Sequence, residues 1–156
     1  MKEIRKQSFN GKEMTYYILT PLKKETSLIY VPVDNDLLTG RMRHVLKEED
    51  VRKAIRRMPQ GDLIWSDDEQ ERKQQFRDVL ISGDIDQMMR LLKTLYQHRI
   101  RQQEIGKKMH QSDENAYRDA AELIFEEFTY VLKTDRSEIE EMIESSFSLN
   151  AEEENA

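Results

Sequence analysis

The chain has 156 residues, a formal charge of −6 and no cysteine, and 36% of it is Asp, Glu, Lys or Arg. Disulfides, thiolate metal sites and cysteine nucleophiles are thereby excluded, and a mean hydropathy of −0.84 describes a strongly hydrated chain with modest cores. No apolar run reaches membrane-spanning length and no basic-then-apolar leader opens the sequence, so a cytoplasmic protein without membrane contact is expected.

Strand signals come first. Ile4-Arg5-Lys6-Gln7-Ser8-Phe9 leads into Asn10-Gly11, a dipeptide suited to a tight hairpin. Apolar residues then alternate through Met14, Tyr16 and Ile18, and again through Leu28 and Tyr30, the period of strands with one buried face. Lys23-Lys24-Glu25 fits the turn between them, and the pattern ends near Val33-Asp34-Asn35. Three consecutive antiparallel strands are predicted. Their two edges carry unpaired N–H and C=O groups able to template a foreign strand, with Lys6 and Lys12 placed to guard an edge.

Helical spacing takes over next. Val45, Val51, Ala54, Ile55 and Met58 predict a helix from about Lys47 to Met58, and Pro59-Gln60-Gly61-Asp62 breaks the chain at the expected domain boundary. Trp65 follows the breaker, placed either to staple it to a core or to stand exposed for a purpose. Asp67, Asp68, Glu69 and Glu71 read as the acidic first turn of a helix, a divalent-cation cluster being the other reading. Phe76, Val79 and Leu80 form that helix's stripe, and Ser82-Gly83 ends it. Asp84 caps the next, whose stripe is Ile85, Met88, Met89, Leu92, Leu95 and Tyr96, with the methionines as core filler.

After a polar loop at Gly106, Ser112 and Asp113 offer caps for a helix with Tyr117, Ala120, Ala121, Ile124, Phe128, Val131 and Leu132 on one face. A short last helix is expected to begin near Ser137, which has capping-box spacing to Glu140, and to bury Ile139, Met142 and Ile143. The fold class is α+β. A small N-terminal antiparallel β module (1–44) precedes a helix and linker (45–64), an all-helical domain (65–148) and a disordered acidic tail (149–156).

Charge is unevenly placed. Arg90, Lys93, Arg99, Arg101, Lys107 and Lys108 face only Glu104 between Met88 and Gln111, which makes either a solvated helix face or a phosphate-contacting patch. His44, His98 and His110 share no metal-ligand spacing, and no Gly-rich phosphate loop or nucleophile elbow occurs. Neither enzyme chemistry, a cofactor nor a metal is expected.

The order Gly11, Tyr16-Tyr17-Ile18-Leu19, Tyr30-Val31-Pro32-Val33-Asp34-Asn35, Gly40-Arg41-Met42-Arg43, Trp65 and Ser82-Gly83-Asp84 resembles the CarD family of bacterial RNA-polymerase-binding transcription regulators. The likeness continues through Leu95-Tyr96, Gly106-Lys107-Lys108, Ala120-Ala121-Glu122 and Glu127-Phe128, and the longer lysine loop is similar to members from low-GC Gram-positive bacteria.

The resemblance implies a Tudor-like (SH3-like) barrel that docks on the polymerase β subunit by an edge strand. It also implies a helical domain that touches promoter DNA near the upstream edge of the transcription bubble. Gln7, Ser8 and Tyr30 fall where the family meets the polymerase, and Trp65 matches the position of the DNA wedge. Ser66-Asp67-Asp68 follow Trp65 where the family has basic residues, so Arg72 and Lys73, one to two helical turns on, are the candidates for those phosphate contacts. Lys107 and Lys108 complete the DNA-binding set. The chain starts within what would be the family's second strand, so the barrel is expected to be incomplete, with self-association through its open edge. The alternative is a helical protein-interaction adaptor that keeps the β-edge partner site without DNA contact.

Overall fold

Asn10 and Gly11 adopt φ of 51° and 77°, the paired positive values of a two-residue type I′ turn, which Asn and Gly tolerate best. In the computed structural model, which describes residues 3–22, 26–57 and 64–154, this turn joins β1 (Glu3–Phe9) to β2 (Lys12–Leu19). β3 (Ile29–Pro32) pairs antiparallel with the other side of β2, giving an open sheet of order β1-β2-β3. The expected turn at Lys23-Lys24-Glu25 lies outside the described residues.

Register sorts the side chains. Gln7 opposes Met14, and Tyr30 opposes Ile18, so Gln7, Met14, Tyr16, Ile18 and Tyr30 share one face. Ser8 opposes Glu13 and Val31 opposes Tyr17, which places Ser8 and Val31 on the other face. Ile18 is fully enclosed and Val31 is buried. Each face thus holds one buried residue, which corrects the expectation of a single buried face. Leu28 is exposed, because the four-residue β3 pairs no further than Leu19 with Ile29. Lys6 does lie on an edge strand, whereas Lys12 belongs to the central one. Asn35 then caps a single turn, α1 (Asp36–Thr39), accepting from the Leu38 N–H at 3.1 Å.

The chain divides into two units, Met1–Val45 and Leu46–Ala156. α2 (Glu48–Arg57) belongs to the second, where Val51, Ala54 and Ile55 enter the helical core. The segment 45–64 is therefore no separate linker: an amphipathic helix is stable in water only when its apolar stripe finds a partner. The breaker at Pro59-Gln60-Gly61-Asp62 lies outside the described residues.

Four more helices complete the unit: α3 (Glu69–Ser82), α4 (Ile85–Glu104), α5 (Gln111–Leu132) and α6 (Arg136–Glu154). Gly83 ends α3 in the left-handed conformation, and Asp84 caps α4 by accepting from the N–H groups of Asp86 and Gln87. The core gathers Phe76, Met88, Met89, Leu91, Leu92, Leu95, Ala120, Ile124, Phe128, Ile139 and Ile143, and each fully buried large side chain contributes roughly 2 kcal/mol. Both methionines are core residues, as expected. Among the described residues no helix is long and apolar enough to cross a membrane.

Two helix starts differ from expectation. α5 begins at Gln111 with His110 at the cap position, so Ser112 and Asp113 lie inside the first turn, and Asp113 turns inward. α6 begins one residue earlier than expected: the Asp135 carboxylate, rather than Ser137, accepts from the Glu138 N–H, at 3.0 Å. α6 also runs on to Glu154 through the tail expected to be disordered. A helix already nucleated on its buried Ile139 and Ile143 extends at little cost through Ala and Glu, both good helix formers.

Candidate functional site

In the first unit an aromatic ladder crosses all three strands. Phe9 meets Tyr16 edge-to-face at 5.7 Å, and Tyr16 meets Tyr30 at 6.1 Å in the same manner. Phe9 is 50% exposed and Tyr30 36%, so the outer rings of the ladder face solvent. Ile4, Ile29, Leu37 and Leu38 add further exposed apolar surface to this small unit. Gln7 sits half-buried on the ladder's face, with its Oε1 enclosed and without a protein donor.

The three residues expected at a polymerase contact are not contiguous. Gln7 and Ser8 lie on β1 and Tyr30 on β3, the opposite edges of the sheet. Gln7 and Tyr30 share a face that Ser8 does not. Phe9 and Tyr16, absent from the expected set, link the two edges across that face. Alternation in β2 pointed to Tyr16, but only the strand register shows that Phe9 reaches it.

In the helical unit Trp65 is half-buried and held on several sides. The Arg72 guanidinium lies 4.5 Å from its ring centre, the His98 ring packs on it at 4.2 Å, and Phe76 stands at 6.3 Å. The indole N–H donates to Asp67 at 3.2 Å. Of the two readings open for Trp65, packing onto the core is the one adopted here.

Arg72 requires a correction. Expected to meet phosphate, it is 4% exposed, and its Nε and Nη2 donate to the two oxygens of the fully buried Asp113 carboxylate at 3.0 and 3.2 Å. Its Nη1 donates to the Ser66 carbonyl at 2.9 Å. The helical period carried the signal: Arg72 is four residues before Phe76 and seven before Val79, on the stripe that faces inward. A guanidinium there needs a buried carboxylate, and Asp113 lies on the corresponding stripe of α5, seven residues before Ala120.

Lys73 is exposed but pairs with Glu69 at 2.6 Å, and its hydrogen bond and charge hold the Glu69 carboxyl below the usual carboxylate range. The acidic cluster behaves as a helix start, with Asp68 accepting from the Glu71 N–H and Ser66 donating to the Glu71 carboxylate. Among the described residues no three His, Asp or Glu side chains converge to hold a metal ion.

Lys107 and Lys108 are exposed in the α4–α5 loop. The Gly106 N–H reaches the Gln103 carbonyl and the Lys107 N–H the Gln102 carbonyl, a Schellman closure that fixes where the loop departs. His110, at the loop's end, is close enough to act electrostatically on both His98 and Glu69, so the loop returns toward Trp65. Burial, followed by weaker charge effects, lowers the His98 pKa, with Asp113 opposing the shift.

The basic stretch is not one surface. Lys93 is buried, and Arg99 pairs with Glu114 at 2.6 Å while lying 4.2 Å over the Tyr117 ring. Arg90, Arg101, Lys107 and Lys108 remain exposed. No protein-family model matches this chain, and no curated protein matches it.

Proposed function

We propose that this chain is a non-enzymatic, cytoplasmic transcription regulator that docks on the RNA polymerase β subunit through its β module and contacts promoter DNA through its helical unit. The observation that carries the reading is the Phe9–Tyr16–Tyr30 ladder on an open sheet, with its outer rings exposed. Exposed aromatic surface beside unpaired strand edges suits a protein partner that adds a strand and buries the rings. The ordered sequence resemblance to the CarD family supplies the identity of that partner.

The DNA half of the proposal rests on Trp65, Lys73 and the Lys107-Lys108 loop at one end of the helical unit, with Arg72 acting as an internal strut beneath them. Binding energy toward the melted promoter would shift the opening equilibrium without covalent chemistry. A wedge role requires the indole to leave Arg72 and His98, at a cost of about 2 kcal/mol that DNA stacking must offset.

The second reading, an adaptor without DNA contact, is favoured by one specific observation: Trp65 and Arg72 are both engaged within the protein. Capture of the purified β-subunit lobe by the full chain tests the first half of the proposal, and the lifetime of open complexes tests the second. Failure of lobe capture overturns the polymerase assignment. Capture with no change in open-complex lifetime selects the adaptor.

A further inference from the structure

We propose that the cleft between α4, α5 and the start of α6 is a binding site for a small organic phosphate of mononucleotide size. The cleft has a volume of about 450 Å³ and is bordered by Arg99, Arg118, Arg136, Glu114, Asn115 and Tyr117. Three guanidinium groups against one carboxylate leave a net of two positive charges in a chain whose overall charge is negative. That is the complement of a phosphomonoester dianion.

Two of these arginines are held in place. Arg99 lies over Tyr117 at 4.2 Å and is gripped by Glu114, while Arg136 lies over Phe125 at 4.7 Å and is gripped by Glu140 at 2.9 Å. A guanidinium has five N–H donors, and these pairings use one on each. Arg118 is more open: it is 69% exposed, and its nearest carboxylate, Asp119, is 3.8 Å away. Burial raises the Tyr117 pKa, so its hydroxyl remains a donor at neutral pH.

A second hollow of about 270 Å³ continues from the cleft and shares Arg99, Tyr117 and Arg136 with it. Its wall carries Tyr96 and Phe147, stacked at 4.7 Å and 14°, an apolar surface suited to a flat ring. Glu140 and Glu144 also border it and can accept from sugar hydroxyls or an exocyclic amine. The combined space falls in the range of small-molecule sites. An anionic end beside a flat, acceptor-rimmed end matches one molecule carrying both parts better than a bare inorganic anion. This site is separate from the β module and from Trp65, so it stands or falls independently of the regulator proposal.

The test is a ¹H–¹⁵N NMR titration of the full chain with AMP, adenosine, inorganic phosphate and a short DNA duplex lacking terminal phosphates. AMP is expected to shift the signals of Arg99, Tyr117, Arg118 and Arg136 saturably, with adenosine and inorganic phosphate at least about tenfold weaker. Arg118→Glu should weaken AMP about tenfold or more while leaving the melting temperature unchanged, and Arg118→Gln serves if the glutamate variant does not fold. Absence of saturable AMP shifts up to about 10 mM overturns the proposal. So does equal AMP affinity in a folded Arg118 variant, equal binding of adenosine, or a response of these signals to the duplex alone.

Discussion

Arg72 and Asp113, forty-one residues apart in the chain, form a two-point ion pair inside the helical unit, with side-chain exposures of 5% and 1%. The pair ties α3 to α5, and the same guanidinium reaches back to the Ser66 carbonyl and packs on Trp65. One side chain therefore links the unit's entry segment, two helices and the candidate DNA-facing tryptophan.

Removing one member of that pair strands a buried charge. Asp113→Ala is expected to destabilise the helical unit by about 3 kcal/mol or more, measured by urea unfolding followed by helical circular dichroism. The double variant Arg72→Met with Asp113→Leu should recover much of that loss, since an apolar pair leaves no charge unpaired. A double variant as unstable as Asp113→Ala would show that packing, rather than charge, dominates at this position.

The ladder predicts which residues a polymerase partner buries. Tyr30→Glu places a charge in the desolvated contact and should weaken capture of the β-subunit lobe by about tenfold or more. Phe9→Ser, at the opposite end of the ladder, should also weaken it. Ser8→Ala, on the other face, should change it little. Unchanged lobe affinity in folded Tyr30→Glu would remove the ladder from the interface.

For DNA, Trp65→Ala should shorten the lifetime of open complexes on a purified promoter while leaving lobe capture intact. Because Trp65 also packs on Phe76 and His98, melting of the variant is measured alongside. Lys107→Glu with Lys108→Glu leaves that packing alone and should reduce both the effect on the promoter and its dependence on salt. Equal lifetimes for parent, Trp65→Ala and the lysine variant would establish the adaptor reading.

His98 makes stability depend on pH. Its pKa in the folded protein is lowered chiefly by burial, with Arg72, Arg101 and His110 adding to the shift and Asp113 opposing it. The folded state then binds fewer protons than the unfolded state, whose imidazole titrates near 6.5. The stabilising contribution is full above that value and is lost as the pH falls through the lower folded value. Urea midpoints at pH about 7.5 and about 5.5 should differ less in His98→Gln than in the parent. An NMR midpoint for His98 at or above 6.5 would contradict the assignment.

Core size separates the two units in stability. Ile18 and Val31 are the buried apolar residues of the first unit among those described, whereas the helical unit encloses a large cluster around Leu91, Leu95, Ile124 and Phe128. Amide hydrogen exchange should be fast across β1–β3 and slow from Asp84 to Leu132. A dimer that closes the sheet edge would show as concentration-dependent protection of β1 or β3. Uniform protection at all concentrations would mean the sheet is more stable than its burial suggests.

Local patterning was sufficient for much of the fold. Asn10-Gly11 announced the hairpin, Asp84 its helix cap, Gly83 a helix end, and the apolar stripes of α2 to α5 their buried faces, because each follows from the conformational preference or period of neighbouring residues. What neighbours cannot encode is the partner across space. Arg72 read as a cation for phosphate until Asp113, on another helix, claimed it. Ser8 stood beside Gln7 in sequence yet faces the other side of the sheet, and Phe9 joined Tyr16 and Tyr30 only through strand register. The arginines around the α4–α6 cleft are scattered from position 99 to 136, so three packed helices were needed to bring their charges together. Pairing and desolvation between distant segments decide whether a charge is a strut or a contact, and those are properties of the packed chain alone.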